Sequence, residues 1–418
     1  MRTWTPPDIP ALPGKGSAPR LFNTATGRVE HPPLEDETAS LYVCGVTPYD
    51  ATHLGHAATY LAYDILLRAW RDAGVKTVYA QNITDVDDPL LERANATGVD
   101  WRNLADQQIA LFRSDMHRLG MIPPDKYVAV TEAIDPIAEA VQRLRARGLA
   151  YEMPTPDAEG DDLYFDVRGA VRHTQWRLGD IAPYDHELML TLSSERGGDP
   201  ERLGKRDPLD PLLWRAARPD EPSWDSVVGK GRPGWHIECS VIAFRALGNA
   251  FTVQGGGADL VFPHHEFSAA HATSLSGTPF ALLYCHTGLL SYQGHKMSKS
   301  RGNLVFVSEL LAEQSEPGAI RLALLSHHYR KDWEWHDEDI ARAHDQLARW
   351  RDALSVQSEH PASALEVLSL LRQAVSDDLN TPRMIEIIDQ ALMQGVDEPS
   401  LLAHAVQALL GIDIVSVH

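Results

Sequence analysis

The stretch at residues 41–59, LYVCGVTPYDATHLGHAAT, decides the fold. It opens on an apolar run that reads as a buried strand, passes Gly45, Thr47 and Pro48, and reaches His53-Leu54-Gly55-His56 before a long helical pattern. Strand, tight turn and helix start follow one another. Exposed amides at a helix N-terminus attract phosphate, and two imidazoles in the first turn can donate to the same oxygens. The stretch therefore predicts a nucleotide site with His53 and His56 beside the phosphates. Cys44, at the end of the strand, brings a soft ligand to the same turn. A buried structural cysteine and two surface histidines would account for the same residues, so the rest of the chain has to separate the two readings.

Downstream, Leu61, Ile65, Leu66 and Ala69 recur at helical spacing, and Gly74 ends the helix. KTVYAQNITDVDD (residues 76–88) then reads as a second strand running into a helix, which establishes the βαβ pattern of a doubly wound α/β sheet. Asn82, Ile83, Thr84 and Asp85 fall at the C-terminal end of that strand, where such sheets bind ligands. Residues 101–155 read as amphipathic packing helices. Residues 156–215 read as an irregular insertion with one strand, DLYFDV, and the parallel sheet is expected to resume with PLLWRAA (residues 211–217). AFTVQGGGADLVFPHHE (residues 250–266) gives another strand, and Gly255 to Gly257 predict a surface that a flat ring such as adenine or ribose can approach closely. After the strand ALLYCHTGLLSY, the loop GHKMSKSRGN carries Lys296 and Lys299; from about Ser308 the chain reads as helical. Residues 1–38, rich in Pro and Gly, read as an arm without chemistry of its own.

Acidic residues outnumber basic ones 58 to 38, a formal charge of −20, which argues against a large polyanionic partner. No apolar run has the length of a membrane span and the N-terminus lacks a signal-peptide core, so a cytoplasmic location is expected. Three cysteines in 418 residues favour metal or catalytic use over a disulfide framework. Cys44, Cys239 and one of the adjacent His264 and His265 all fall at strand ends or helix starts, points that converge on one edge of a doubly wound sheet. Two thiolates and an imidazole are a zinc set with an open fourth position. Position alone does not choose between the two histidines, His236-x-x-Cys239 is a competing pair, and Cys285 is a spare thiol.

CGVTPYDATHLGHA, NITDVDD, GKGRPGWHIECS, GGGADLVFPHHE and KMSKSRGN together resemble the class I cysteinyl-tRNA synthetase family, most closely its ATP-dependent cysteine-ligating branch in mycothiol biosynthesis. The matching blocks run from about residue 20 to residue 340. The resemblance implies a Rossmann-like catalytic domain with an inserted subdomain and a short C-terminal helical bundle. In its terms the chain divides into an arm (1–38), the first half of the catalytic domain (39–115), an inserted connective subdomain (116–210), the second half (211–290), a KMSKS and stem-contact-like region (291–340) and a helical bundle (341–418). The implied metal set is Cys44, Cys239 and His264, with zinc completed by substrate thiolate or water, because Ser268 stands where the synthetases place a further glutamate ligand. His53, His56, Lys296 and Lys299 are implied to act on the phosphates of ATP with Mg. Cys44, Gly45, Val46, Thr47, Asn82, Ile83, Thr84 and Trp235 would hold the cysteine or its adenylate, with Thr59, Gly257, Ala258, Asp259 and Leu290 around the nucleotide.

ERGGDP (residues 195–200) is similar to a signature of the mycothiol branch, and the 78 residues after 340 leave room for a short bundle but not for an anticodon-reading domain as well. The expected reaction joins L-cysteine to the amine of glucosaminyl-inositol through cysteinyl-adenylate, releasing AMP and pyrophosphate. A monomer acting on these small molecules, with no nucleic-acid or membrane partner, is the expectation. Two alternatives remain from the sequence: a cysteinyl-tRNA synthetase with a shortened C-terminus, and a catalytically silent protein that only binds nucleotide or cysteine.

Overall fold

The computed structural model describes residues 1–297, 301–313 and 316–415. Five strands form the central sheet: β1 (Thr38–Val43), β2 (Lys76–Ile83), β3 (Lys126–Ala129), β4 (Phe251–Gly257) and β5 (Ala281–Thr287). They lie in the order β5-β4-β1-β2-β3 and every pairing is parallel. Read from the other edge this is the doubly wound order, which reverses direction between β1 and β4, and ligands bind beyond the carboxyl ends of the strands at that point. The α/β reading of the sequence is met. In β1, Leu41, Tyr42 and Val43 are all fully buried, because layers on both faces of the parallel sheet leave no solvent side.

Helix α1 (Leu54–Asp72) follows β1 and is buried nearly all round, lying between the sheet and the C-terminal helices. Burial on all sides takes in two charged residues, and each is satisfied. Arg68 donates to Asp64 Oδ2 at 2.8 Å and to the carbonyls of Gly120, Gln407 and Ala408. Arg321 reaches the same carboxylate at 2.6 Å and the carbonyls of Leu119 and Leu410. These carbonyls end the helices Trp101–Arg118 and Pro399–Leu410, so two guanidinium groups take the place of the missing main-chain donors.

Two readings of local structure change. Residues 126–129, taken as part of a helical region, form β3 at the sheet edge, a short run whose aromatic and β-branched residues were masked by the helical patterns on either side. PLLWRAA does not resume the parallel sheet. Its strand Leu212–Ala216 pairs antiparallel with Asp162–Phe165 and Gly231–Pro233, and with Ala150–Met153 these make a separate four-stranded inserted sheet. The parallel sheet resumes at β4, after helix α2 (Trp235–Leu247). Helix α3 (Glu266–Ser276) connects β4 to β5. Near the N-terminus, Trp4 is buried edge-on against Phe112 and Tyr127 and donates to Met121 O at 2.8 Å. Among the described residues no helix is long and apolar enough to cross a membrane.

Candidate functional site

Where β1 and β4 part, glycines are set by what presses on them. A Cβ on Gly45 would sit 1.7 Å from Asn82 O, so only glycine lets the turn after β1 lie against β2. Asn82 holds that turn, accepting from Gly45 N at 2.8 Å and Tyr42 OH at 3.0 Å and donating to Thr84 Oγ1. Thr84 N in turn donates to Val46 O. Asn82 and Thr84 are thus buried supports of the site turn, and Ile83 is a core residue. Of the three glycines ending β4, Gly255 makes room for the Tyr63 ring and Gly256 for His265 and Leu260. Gly257 alone borders the open cleft.

That cleft, about 310 Å³, is walled by Thr47, Tyr49, Asp50, His53, Gly55, His56, Thr59, Gly257, Asp259, Leu290 and Lys296. His53 and His56 stack with ring centroids 3.7 Å apart. Burial first, then the charge of His56 and Lys296, pushes His53 down to about 2; burial and Lys296 push His56 down to about 4. Both imidazoles are therefore neutral at pH 7 and can donate through one ring nitrogen without carrying charge. Leu54 N–H at the start of α1 is already engaged by Val305 O at 2.9 Å and Ala57 N–H by His53 O at 3.1 Å, while Gly55 and His56 line the cleft. Lys296 Nζ lies 2.8 Å from Asp259 Oδ2. Burial opposes ionisation of Asp259, but the Lys296 ammonium outweighs it and holds the carboxyl below its usual range. Lys299 lies outside the described residues.

Behind the cleft, Cys44, Cys239 and His264 bring their ligand atoms within 4.8 Å of one another, all buried. The sulfurs are 3.8 Å apart. Two sulfurs each about 2.3 Å from one tetrahedral ion lie about 3.8 Å apart, so the spacing fits a zinc-sized ion. Burial alone would raise the Cys239 thiol, yet the hydrogen bond from Cys44 and the charge of His264 hold it well below its ordinary value; burial pushes Cys44 up. One thiol of the pair is thus ready to ionise first.

Of the adjacent histidines, the one whose ligand atom groups with both sulfurs is His264. His265 has Nδ1 at 2.7 Å from His286 Nε2 and Nε2 at 3.2 Å from Cys44 Sγ, where it can support the sulfur. His286 Nδ1 continues the chain to Thr24 Oγ1 at 2.7 Å, so the N-terminal arm does take part in the site's support. His236 also lies behind the cluster, with Nδ1 3.1 Å from His264 Nδ1. Trp235 stacks on His264 with centroids 4.4 Å apart, which puts its ring beside the cluster of Cys44, Cys239 and His264. Ser268 turns its hydroxyl to His236 O, and Glu266 binds the amides of Gly179, Ile181 and Ala182 through both oxygens. Neither completes the ligand set. Cys285 is buried within β5, and burial pushes its thiol up to about 12; it is an inert core cysteine.

Tyr63, His286 and Glu266 escaped the sequence reading. Each looks like ordinary helix or strand composition: the packing of α1 and β5 against β4 brings Tyr63 and His286 to the site's support, and Glu266, at the start of α3, ties the segment after His265 to residues 179–182.

The family of the tRNA synthetases class I (C) catalytic domain matches residues 30–345 of the chain. The L-cysteine:1D-myo-inositol 2-amino-2-deoxy-alpha-D-glucopyranoside ligase of Clavibacter michiganensis is 55% identical, covering 100% of this chain and 99% of its own length. The protein of the same name from Cellulomonas flavigena is 54% identical over 99% of this chain and 100% of its own. Among solved structures, Mycobacterium tuberculosis methionyl-tRNA synthetase in complex with methionyl-adenylate superposes with a TM-score of 0.63 at 16% identity, covering 90% of this chain and 92% of that one. The leucyl enzyme of Agrobacterium radiobacter, in a ternary complex with tRNA, gives 0.58 at 12% identity, over 97% of this chain and 84% of that one. The structural likenesses speak to the fold alone.

Proposed function

Since the chain belongs to the family of the tRNA synthetases class I (C) catalytic domain, we propose that it activates L-cysteine with ATP and ligates it to the amine of 1D-myo-inositol 2-amino-2-deoxy-alpha-D-glucopyranoside. The reading rests chiefly on one observation: two thiols and an imidazole stand behind a phosphate-type cleft opened by His53 and His56. A cysteine side chain directed at the thiol cluster would leave its carboxylate toward the cleft.

In the first step the carboxylate of cysteine attacks the α-phosphorus of ATP and the bond to pyrophosphate breaks. Negative charge grows on phosphate oxygens, and the chain supplies neutral donors, His53 and His56, and one ammonium, Lys296, released from Asp259 as the phosphates arrive. Neither histidine need act as a base. In the second step the amine, having lost a proton, attacks the carbonyl of cysteinyl-adenylate, the carbon–oxygen bond to AMP breaks, and an amide forms. In this reading Thr47 and Trp235 would lie at the amino-acid end, with Thr84 buried beneath as a support of the turn, and Thr59, Gly257, Asp259 and Leu290 would lie at the nucleotide end. Lys299, three residues after Lys296 in the sequence, would supply a second ammonium to the phosphates.

Cys44, Cys239 and His264 would hold zinc, which would supply a soft acceptor for the substrate thiolate and so select cysteine over serine. The Mg that accompanies ATP completes the cofactor set. A cytoplasmic monomer with no nucleic-acid partner is consistent with the −20 charge. ATP–pyrophosphate exchange tests the first step. Exchange that depends on cysteine and ignores serine supports the reading; exchange driven equally by serine, or absent with cysteine, contradicts it.

A further inference from the structure

We propose that Arg196 is a positioning residue that clamps the turn between Asp259 and His264 and ties it to the inserted sheet, which gives the ERGGDP loop a role in cysteine activation.

The loop at residues 195–200 follows the helix His186–Glu195 and doubles back at once. Gly197 takes a φ of 83°, and Gly198 N donates to Ser193 O at 2.8 Å. A Cβ on Gly198 would lie 2.3 Å from Ser193 Oγ, so the reversal requires the glycine pair. Folded this way, Arg196 sends Nη1 to two main-chain carbonyls, that of Asp259 at 2.5 Å and that of Phe262.

Those two carbonyls bracket the turn that both halves of the site depend on. Asp259 lies in the short helical turn Ala258–Leu260. Phe262 is extended, with φ −136° and ψ 137°, and interrupts the helical run Val261–His265. An extended residue cannot keep its carbonyl in helical alignment, and the guanidinium supplies a donor to it. On one side of the clamp the Asp259 carboxylate holds Lys296; on the other, His264 joins Cys44 and Cys239. One charged nitrogen, Nη1, that donates to both carbonyls ties them together and fixes the distance between these functions.

The other end of the loop is anchored in the inserted sheet. Asp199 accepts from Tyr164 OH, on the strand Asp162–Phe165, and from Lys205 Nζ at 2.9 Å. ERGGDP is therefore a strap with Arg196 on the site turn and Asp199 on the insertion. Arg196 touches no reacting atom in this arrangement and acts through Asp259 and His264.

The test compares Arg196→Ala and Arg196→Lys with the unaltered full chain by amide hydrogen exchange over residues 258–265, by the rate at which a chelator strips added zinc, and by kcat for cysteine-dependent pyrophosphate exchange. Loss of a charge-assisted clamp predicts faster amide exchange in that segment, zinc release faster by ~10-fold and kcat lower by ~10-fold in Arg196→Ala. Arg196→Lys should recover part of each, and methylguanidinium added to Arg196→Ala should slow zinc release again. Should Arg196→Ala not fold, Arg196→Lys with intermediate values carries the same comparison. Unchanged amide exchange and zinc release in a folded variant overturn the proposal, and so does a variant that only melts earlier. The kinetic arm rests on the ligase reading: if the unaltered chain shows no cysteine-dependent exchange, that reading fails, while the amide-exchange arm still decides whether the clamp exists.

Discussion

Cys44 Sγ lies 3.8 Å from Cys239 Sγ across 195 positions of sequence, with no disulfide between them. Two thiolates at that distance repel by about 4 kcal/mol at an effective dielectric near 20, so both ionise only with a cation between them. The account predicts that zinc binding releases protons as the thiols ionise, and that Cys239→Ala abolishes both tight metal retention and cysteine-dependent exchange. Metal analysis after dialysis against a chelator checks this. Full retention by Cys239→Ala would contradict the ligand assignment.

Lys296 is half-exposed and waits on Asp259 at 2.8 Å. Lys296→Ala should lower kcat for pyrophosphate exchange by about 100- to 1000-fold, the range of a lost donor at developing charge, with cysteine binding little changed. Steady-state exchange and a direct measurement of cysteine binding separate the two. Equal losses in both would move Lys296 out of the phosphate role.

The paired histidines make a pH prediction. His53 at about 2 and His56 at about 4 lie below the ordinary 6.5, through burial first and neighbouring positive charge second. Their depressed values mean the folded state binds fewer protons than the unfolded chain, so their contribution to stability is whole above pH 6.5 and is lost as pH falls toward about 4. Thermal melting across that window should show a shallower slope for His56→Asn than for the unaltered protein. An identical slope would mean that His56 is not buried neutral.

Arg321 meets Asp64 at 2.6 Å and satisfies the ends of two helices that pack on α1. Arg321→Met removes one partner from a buried charge network and should cost about 3–5 kcal/mol in urea unfolding. Below about 1 kcal/mol the helices would have to find other donors, and the network would not be what holds the bundle to the sheet.

The strand, turn and helix around residues 41–59 were legible because a buried parallel strand and a histidine-bearing helix start each leave a local mark. Cys44 and Cys239 with one of His264 and His265 were legible as a candidate set because thiols at strand ends and helix starts converge in a doubly wound sheet, while the choice of His264 came from the family resemblance. What the sequence hid is set by contacts between distant elements. Leu212–Ala216 carries a strand pattern that suits either sheet, and only pairing with Asp162–Phe165 assigns it to the inserted one. Gly255 and Gly256 read as ligand-facing, yet Tyr63 and His265 occupy the space their missing side chains leave. Nothing local tells a glycine that admits a ligand from one that admits a tyrosine.

The most direct measurement gives the purified protein ATP, cysteine and glucosaminyl-inositol in one reaction and ATP, cysteine and tRNA in another, with products read by mass spectrometry. The account predicts cysteinyl-glucosaminyl-inositol together with AMP and pyrophosphate in the first reaction and no aminoacylated tRNA in the second. Cysteinyl-tRNA without the amide product would contradict it.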